Sequence, residues 1–233
     1  MADDLTWCAR GTTPADVEAA LRRMLARCYA ENETCVPARA LNLVCIVDAA
    51  RRAEVEGRLR QVGRYHASRT ILCVVEPGRA RIDASATIAG AVHSAPGEFA
   101  VLRESVVLAV GERHVPHLDT VVDPLVVTDL PIVVWSPHGH DAGVEALLSL
   151  AQVLLLDSVD EPDLRDAVRR ASEPLARAYV VDLAWLRSTP WRERVAATFD
   201  PPDLRPDLAA ISGVAVRHHP DSAVAGLLLV GWL

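Results

Sequence analysis

The chain has 233 residues, 51% of them hydrophobic, which is enough for a packed core and too apolar for a disordered segment. A formal charge of −7 argues against binding to nucleic-acid backbones, and the absence of any lysine excludes Schiff-base and Walker-type lysine chemistry. The opening MADDLTW has no basic segment or apolar signal core, and the longest apolar run, 146–156, is too short to span a bilayer. A soluble cytoplasmic protein without a membrane partner is expected.

TPADVEAALRRMLARCYAENE predicts a first helix. Thr13 is its N-cap, Pro14 stands at the first helical position, and Val17, Leu21, Met24, Leu25 and Cys28 form its apolar stripe. ALNLVCIVD (40–48) predicts a buried strand, AARRAEVEGRLRQVG a charged helix capped by Asp48, and RTILCVVEP (69–77) a second buried strand. Together they read as a βαβ unit with parallel pairing. ARIDASATIAG (80–90) and EFAVLRESVVLAV (98–110) are expected as antiparallel additions. A helix broken at Pro124, a strand in LPIVVWSP, a helix in DAGVEALLSLA and a strand in QVLLLDS continue the alternation.

The acidic, proline-containing DSVDEPDL (157–164) predicts a domain boundary. The expected fold is α/β: a mixed, mainly parallel, Rossmann-like sheet flanked by helices in 1–158, then a smaller helix-rich α/β domain in 159–233. In the second domain PDLRDAVRRASEPLARAY reads as helix, ISGVAVRHH as its strand, and DSAVAGLLLVGWL as a last helix. An apolar helix ending on Leu233 without a polar exit reads as a shortened chain, so this domain is expected to be incomplete.

The candidates for chemistry are few. The histidine pairs His114 and His117, His138 and His140, and His218 and His219 lack H-E-x-x-H or similar spacing, so no metal is expected. Ser136, His138, Gly139 and His140 follow a predicted strand and precede a helix capped by Asp141. They form a small-ligand candidate for a sugar phosphate or nucleotide. The five cysteines contain no C-x-x-C. Cys28 and Cys35 flank an acidic turn that would raise a thiol pKa, and Cys45 and Cys73 read as core. Arg69, in HASR, sits at the amino end of its strand and reads as structural. No nucleophile elbow, dinucleotide fingerprint, Walker loop or kinase signature occurs, so neither catalysis nor a cofactor is expected.

Residues 182–200, DLAWLRSTPWRERVAATFD, hold two of the five tryptophans. Asp182 is expected to cap a short helical turn, and Thr189 a second helix with Pro190 at its first position. Trp191, Val195 and Phe199, at i, i+4 and i+8, form that helix's inward stripe, which makes Trp191 structural. Trp185 and Arg187 stand at an exposed bend, in residue types that are enriched at interface hot spots.

Six segments, in order, resemble the OpcA family of glucose-6-phosphate dehydrogenase assembly proteins and activators. They are RALNLVCIVD (39–48), HASR (66–69), VVDPLVVTDLPIVVWSP (121–137), LLLDS (154–158), DLAWLRSTPWRERVAATFD (182–200) and GLLLVGWL (226–233). The segment D-L-A-W-x-R-x-x-P-W-R carries most of the specificity, and Asp129 and Pro131 belong to the supporting P-L-x-V-x-D-L-P motif. Ser136 and Ala67 depart from the family pattern, which often has tryptophan and proline there. The resemblance implies a non-catalytic protein that binds the dehydrogenase of the oxidative pentose phosphate pathway and favours its active form. Trp185, Arg187 and Arg192 would be the partner-binding residues. Asp182, Pro190, Trp191, Asp129 and Pro131 would be structural, and self-association stays open. The alternative is a small-ligand sensor using the 136–141 loop.

Overall fold

In the computed structural model, which describes residues 4–90, 100–161 and 163–233, the chain divides into two compact units between Leu154 and Leu155. The first unit opens with β1 (Leu5–Ala9) and α1 (Pro14–Glu31). Thr13 and Asp16 close a capping box: the Asp16 amide donates to Thr13 Oγ1 at 3.3 Å and the Thr13 amide to Asp16 Oδ2 at 3.2 Å. Val17, Leu21, Leu25 and Cys28 are buried along the expected stripe.

After β2 (Cys35–Pro37) come β3 (Leu41–Asp48), α2 (Arg52–Val62) and β4 (Ser68–Val75). β3 and β4 pair in parallel from Leu41 opposite Ser68 to Asp48 opposite Val75, which is the expected βαβ unit. Both strands are buried on both faces, so their sequences run apolar without alternation. Cys45 and Cys73 are fully buried there, and burial pushes both thiols up, that of Cys73 to about 12. They are core residues and inert at neutral pH.

β5 (Asp83–Ala89) and β6 (Ala100–Val110) follow; the first two residues of the predicted strand 98–110 lie outside the described residues. β5 pairs antiparallel with both β1 and β6, as expected of an added strand. β6 is not simply an antiparallel addition, because it also pairs in parallel with β4 and, at its start, with β2. Direction was misread because β6 lies between β5 and β4, a non-local choice that strand periodicity does not encode. α3 (Leu118–Val122), β7 (Ile132–Trp135) and α4 (Asp141–Leu147) complete the unit. β7 pairs in parallel with β3, giving the order β1-β5-β6-β4-β3-β7.

Two buried polar groups fasten this sheet. Arg69 and Glu104, cross-strand neighbours on β4 and β6, are 3% and 2% exposed. Arg39 and Arg69 both donate to Glu104, with Nε to Oε2 distances of 2.7 and 3.0 Å. Arg69 Nη1 also donates to Glu18 Oε2 at 3.0 Å and to the Leu125 carbonyl at 2.9 Å. Arg69 is therefore structural, as expected. Asn42, fully buried, donates through Nδ2 to the carbonyls of Val127 (3.0 Å) and Leu130 (3.3 Å), and its Oδ1 accepts from the Val127 amide (2.8 Å). This strap holds the turn in which Asp129 adopts φ 67°, a left-handed conformation that Asp tolerates better than most side chains. The Pro131 carbonyl accepts from the Asn42 amide at 2.8 Å. The motif around Asp129 and Pro131 thus belongs to this strap.

β8 (Val153–Leu156) contains the division between the units. The second unit holds α5 (Leu164–Ser172), β9 (Tyr179–Asp182), α6 (Leu183–Arg187), α7 (Thr189–Thr198), α8 (Arg205–Ala210) and α9 (Ala223–Trp232). The helix predicted to start at Pro162 begins at Leu164; Pro162 itself lies outside the described residues. That reading also continued over Tyr179, where β9 begins. Residues 211–219, expected as a strand, have no regular structure. Ile211 and Val214 are 48% and 58% exposed, so β propensity found no packed sheet surface to act on. His218 instead lies against α9, where a Cβ on Gly226 would come within 2.5 Å of its ring.

Candidate functional site

The second unit builds its most unusual corner from β9, α6 and α7. Asp182 ends β9 and caps α6, accepting from the Ala184 amide at 2.9 Å, as expected. Its carboxylate also takes hydrogen bonds from the Ser158 amide at 3.3 Å and from the Ser158 hydroxyl. Arg187, the last residue of α6, reaches back to Asp157 in a bidentate pair, with Nη1 to Oδ1 at 2.7 Å and Nη2 to Oδ2 at 2.6 Å. The Asp157 side chain is 4% exposed and that of Arg187 55%. The two ends of α6 are therefore stitched to the neighbouring residues Asp157 and Ser158.

Ser188 closes α6 and opens α7, with its hydroxyl donating to the Trp185 carbonyl at 2.7 Å. Thr189, expected as the cap, and Pro190, expected at the first helical position, each stand one place further in. The inward stripe of α7 differs correspondingly from the predicted one. Ser188, Arg192, Val195 and Phe199 are buried or half-buried, at i, i+4, i+7 and i+11. Trp191 is 68% exposed, so its assignment to the core is corrected. Two stripes one residue apart share Val195 and Phe199, and the pairing of Arg192 with α6 selects between them.

That pairing is a cation–π stack. The Arg192 guanidinium carbon lies 3.3 Å above the centre of the Trp185 ring, while Nη2 donates to Thr189 Oγ1 at 2.7 Å. Trp185 and Arg192 are thereby fixed as one half-buried stack, and Trp191, the residue before Arg192 on α7, is exposed. Proteins bind tightly through such pre-organised aromatic and guanidinium groups. Sequence reasoning missed Asp157 and Ser158 as members of this corner, and placed Thr189 there as a cap rather than as the acceptor for Arg192. The signal for the first two is the acidic stretch after LLL, where a carboxylate follows a buried strand with no local partner.

Arg187→Ala is expected to destabilise the second unit by about 2 kcal/mol, since it strands the nearly buried Asp157 carboxylate. Chemical denaturation checks this; a change below roughly 0.5 kcal/mol would make the pair an ordinary surface contact.

The 136–141 loop lies in the first unit, between β7 and α4. Ser136 is 2% exposed and its Oγ accepts from the His140 amide at 2.8 Å. Gly139 turns the chain with φ 70°. His140, not the expected Asp141, caps α4, with Nδ1 accepting from the Gly143 amide at 3.2 Å. His138 Nε2 faces Glu54 at 3.5 Å, and His140 Nε2 faces Asp48 at 3.7 Å. Ser136 Oγ and His140 Nδ1 are thus spent within the loop, and two carboxylates face its histidines, an arrangement opposed to an anion. Among the described residues no cluster of His, Cys, Asp or Glu could hold a metal ion, and no helix is long and apolar enough to cross a membrane.

Two family models match the chain. Residues 59–173 match one described as the N-terminal domain of the glucose-6-phosphate dehydrogenase subunit, and residues 178–233 match one described as its C-terminal domain; together they cover nearly three quarters of the chain. A protein of Synechocystis sp. named "Putative OxPP cycle protein OpcA" is 30% identical over 120 residues, 48% of this chain and 25% of that protein. The protein of the same name from Synechococcus elongatus is 25% identical over 166 residues, 70% of this chain and 37% of its own length. The matched part is thus between a quarter and two fifths of those relatives. No solved structure matches the chain. With its two domain models in chain order and relatives of the same name, the chain belongs to the OpcA family.

Proposed function

We propose that this chain acts without catalysis of its own, binding glucose-6-phosphate dehydrogenase in the cytoplasm and favouring its active assembly within the oxidative pentose phosphate pathway. The observation that carries this reading is the pair of family models, both described as domains of a subunit of that enzyme. The corner of the second unit supports it, because an activator needs a rigid surface that binds one state of its partner better than another. A preference of about 3 kcal/mol shifts such an equilibrium roughly 150-fold. Trp185, Arg192 and the exposed Trp191 form the proposed contact surface, with Arg187 anchoring it and contributing its exposed edge. Exposed apolar side chains on α6 and α9 (Leu186, Leu227 and Val230) extend the surface available to a partner.

The test is the initial rate of the dehydrogenase from the same organism at subsaturating glucose 6-phosphate, with and without the full chain, together with co-sedimentation. A higher rate and a common boundary are expected. Trp191→Ala should leave stability within about 0.5 kcal/mol of the parent while weakening the complex by about 2 kcal/mol, roughly 30-fold. An unchanged rate and separate sedimentation of the two folded proteins would defeat the reading.

A further inference from the structure

The outer face of the first unit's sheet holds a cavity of about 460 Å3 that neither the fold nor the family description explains. Its floor is a row of hydroxyls. Thr87 of β5 stands in register with Ser105 of β6, and Ser105 with Thr70 of β4, so three strands present Thr, Ser and Thr side by side. At the ordinary strand spacing this row spans about 10 Å, the length of a sugar with one substituent. Ser68 and Ser85 continue the same polar lining. On β5 and β6 the opposite face carries the apolar core, with Leu102, Val106 and Leu108 pointing there from β6, whereas β4 is buried on both faces. The β5 and β6 hydroxyls on this face, Ser85, Thr87 and Ser105, therefore lie away from the packed core, while Ser68 and Thr70 of β4 are within hydrogen-bond distance of each other at 3.3 Å.

The rim is cationic in an acidic protein. Arg52, Glu56 and Arg60 follow one another at four-residue spacing along α2, and Arg64 follows in the turn after it. That turn is fixed by the amides of Gly63, Arg64 and His66, which bond to the carbonyls of Leu59, Gln61 and Val62. Arg103 approaches from β6, its Cδ 4.0 Å from where a Cβ on Gly63 would stand. Arg52 is committed to Glu56 at 2.8 Å, and the lining carboxylate Glu104 to Arg39 and Arg69. Arg60, Arg64 and Arg103 have no described partner, against a single uncommitted carboxylate on the lining, Asp4. The carboxyl end of α2 accounts for a base in its last turn, Arg60. It does not account for three arginines lining the same cavity as a row of hydroxyls.

We propose that this cavity binds a phosphorylated sugar, its phosphate held by Arg60, Arg64 and Arg103 and its hydroxyls by Thr70, Thr87 and Ser105. Guanidinium groups hold phosphate oxygens in pairs. A hydroxyl row exchanges hydrogen bonds with a polyol because each side chain both donates and accepts. The volume suits a small ligand. The lining has no Phe, Tyr or Trp on which a base would stack, which favours a sugar phosphate over a nucleotide. The site lies entirely in the first unit and does not depend on the proposed dehydrogenase contact in the second.

The experiment is calorimetric titration of the full chain, with no dehydrogenase present, by glucose 6-phosphate, glucose, inorganic phosphate and AMP. Saturable binding of glucose 6-phosphate is expected, with the other three at least ~10-fold weaker, the loss of about one hydrogen-bonded group. The double variant R60Q/R103Q alters exposed side chains. It should keep its melting curve and lose at least ~10-fold in affinity for glucose 6-phosphate. T87V/S105A should bring glucose 6-phosphate down to the affinity of inorganic phosphate. Absence of saturable binding, equal binding of inorganic phosphate or AMP, or an R60Q/R103Q affinity matching the parent would each overturn the proposal. None of these outcomes bears on whether the chain activates the dehydrogenase.

Discussion

Glu104→Ala is expected to destabilise the first unit by about 3–5 kcal/mol, because it leaves the buried Arg69 guanidinium without its main counter-charge. In a domain of this size the melting midpoint should fall on the order of 10 °C. The pH dependence of the parent carries the same signature. Burial alone would push the Glu104 carboxyl up, but the hydrogen bonds from Arg39 and Arg69, together with their charges, outweigh it and hold the group below its ordinary 4.5. A carboxyl depressed in the folded state contributes its full stabilisation above about pH 4.5. That contribution is lost as pH falls through the lower folded value. Denaturant melts of parent and variant between pH 7 and pH 3 should therefore converge toward acid. Parallel curves, or a loss below ~1 kcal/mol at neutral pH, would show that the pair does not fasten the sheet.

Asn42→Ala ranks second, at about 3 kcal/mol. It removes three hydrogen bonds to the 127–130 turn and strands an amide and two carbonyls out of reach of water. Asn42→Asp separates the two halves of this strap. It keeps an acceptor for the Val127 amide but sets carboxylate oxygen against two carbonyls, so it should cost nearly as much as alanine. Urea denaturation distinguishes the cases; an aspartate variant as stable as the parent would place the strap's value in the Val127 amide alone.

These two groups show where the sequence is legible. The βαβ unit was plain because β3 and β4 are unbroken runs of β-branched and apolar residues around a charged helix. Glu104 was also within reach. Leu102, Val106 and Leu108 alternate on the buried face of β6, and Glu104 falls in the same phase, a carboxylate where only a paired one can sit. Its partners were not readable, since Arg39 and Arg69 lie 65 and 35 residues away. The parallel pairing of β6 with β4 was hidden for the same reason. β1 was missed because five alternating residues at a chain start give too little period to distinguish a strand from a loop.

In the second unit α5, α6, α7 and α9 were legible from caps and apolar content, whereas α8, β9 and the contacts between the helices were not. Asp182 announced itself as a cap, yet its bonds to Ser158 depend on chain folding 24 residues apart. Trp191 and Arg192 are neighbours with opposite fates, and the stripe through Val195 and Phe199 fits either one. Only the Trp185 ring decides, by accepting the guanidinium. ISGVAVRHH failed differently, since its composition is that of a strand but Ile211 and Val214 remain in solvent.

The joint between α6 and α7 makes the corner sensitive to chain length. Ser188 terminates one helix and starts the next, so there is no spare residue to absorb a change. One residue added or removed there would rotate α7 by about 100°, swinging Arg192 off the indole and turning another side of the helix toward any binding partner. Insertions, which most surface connections absorb without harm, are therefore excluded from this joint even where substitutions are tolerated.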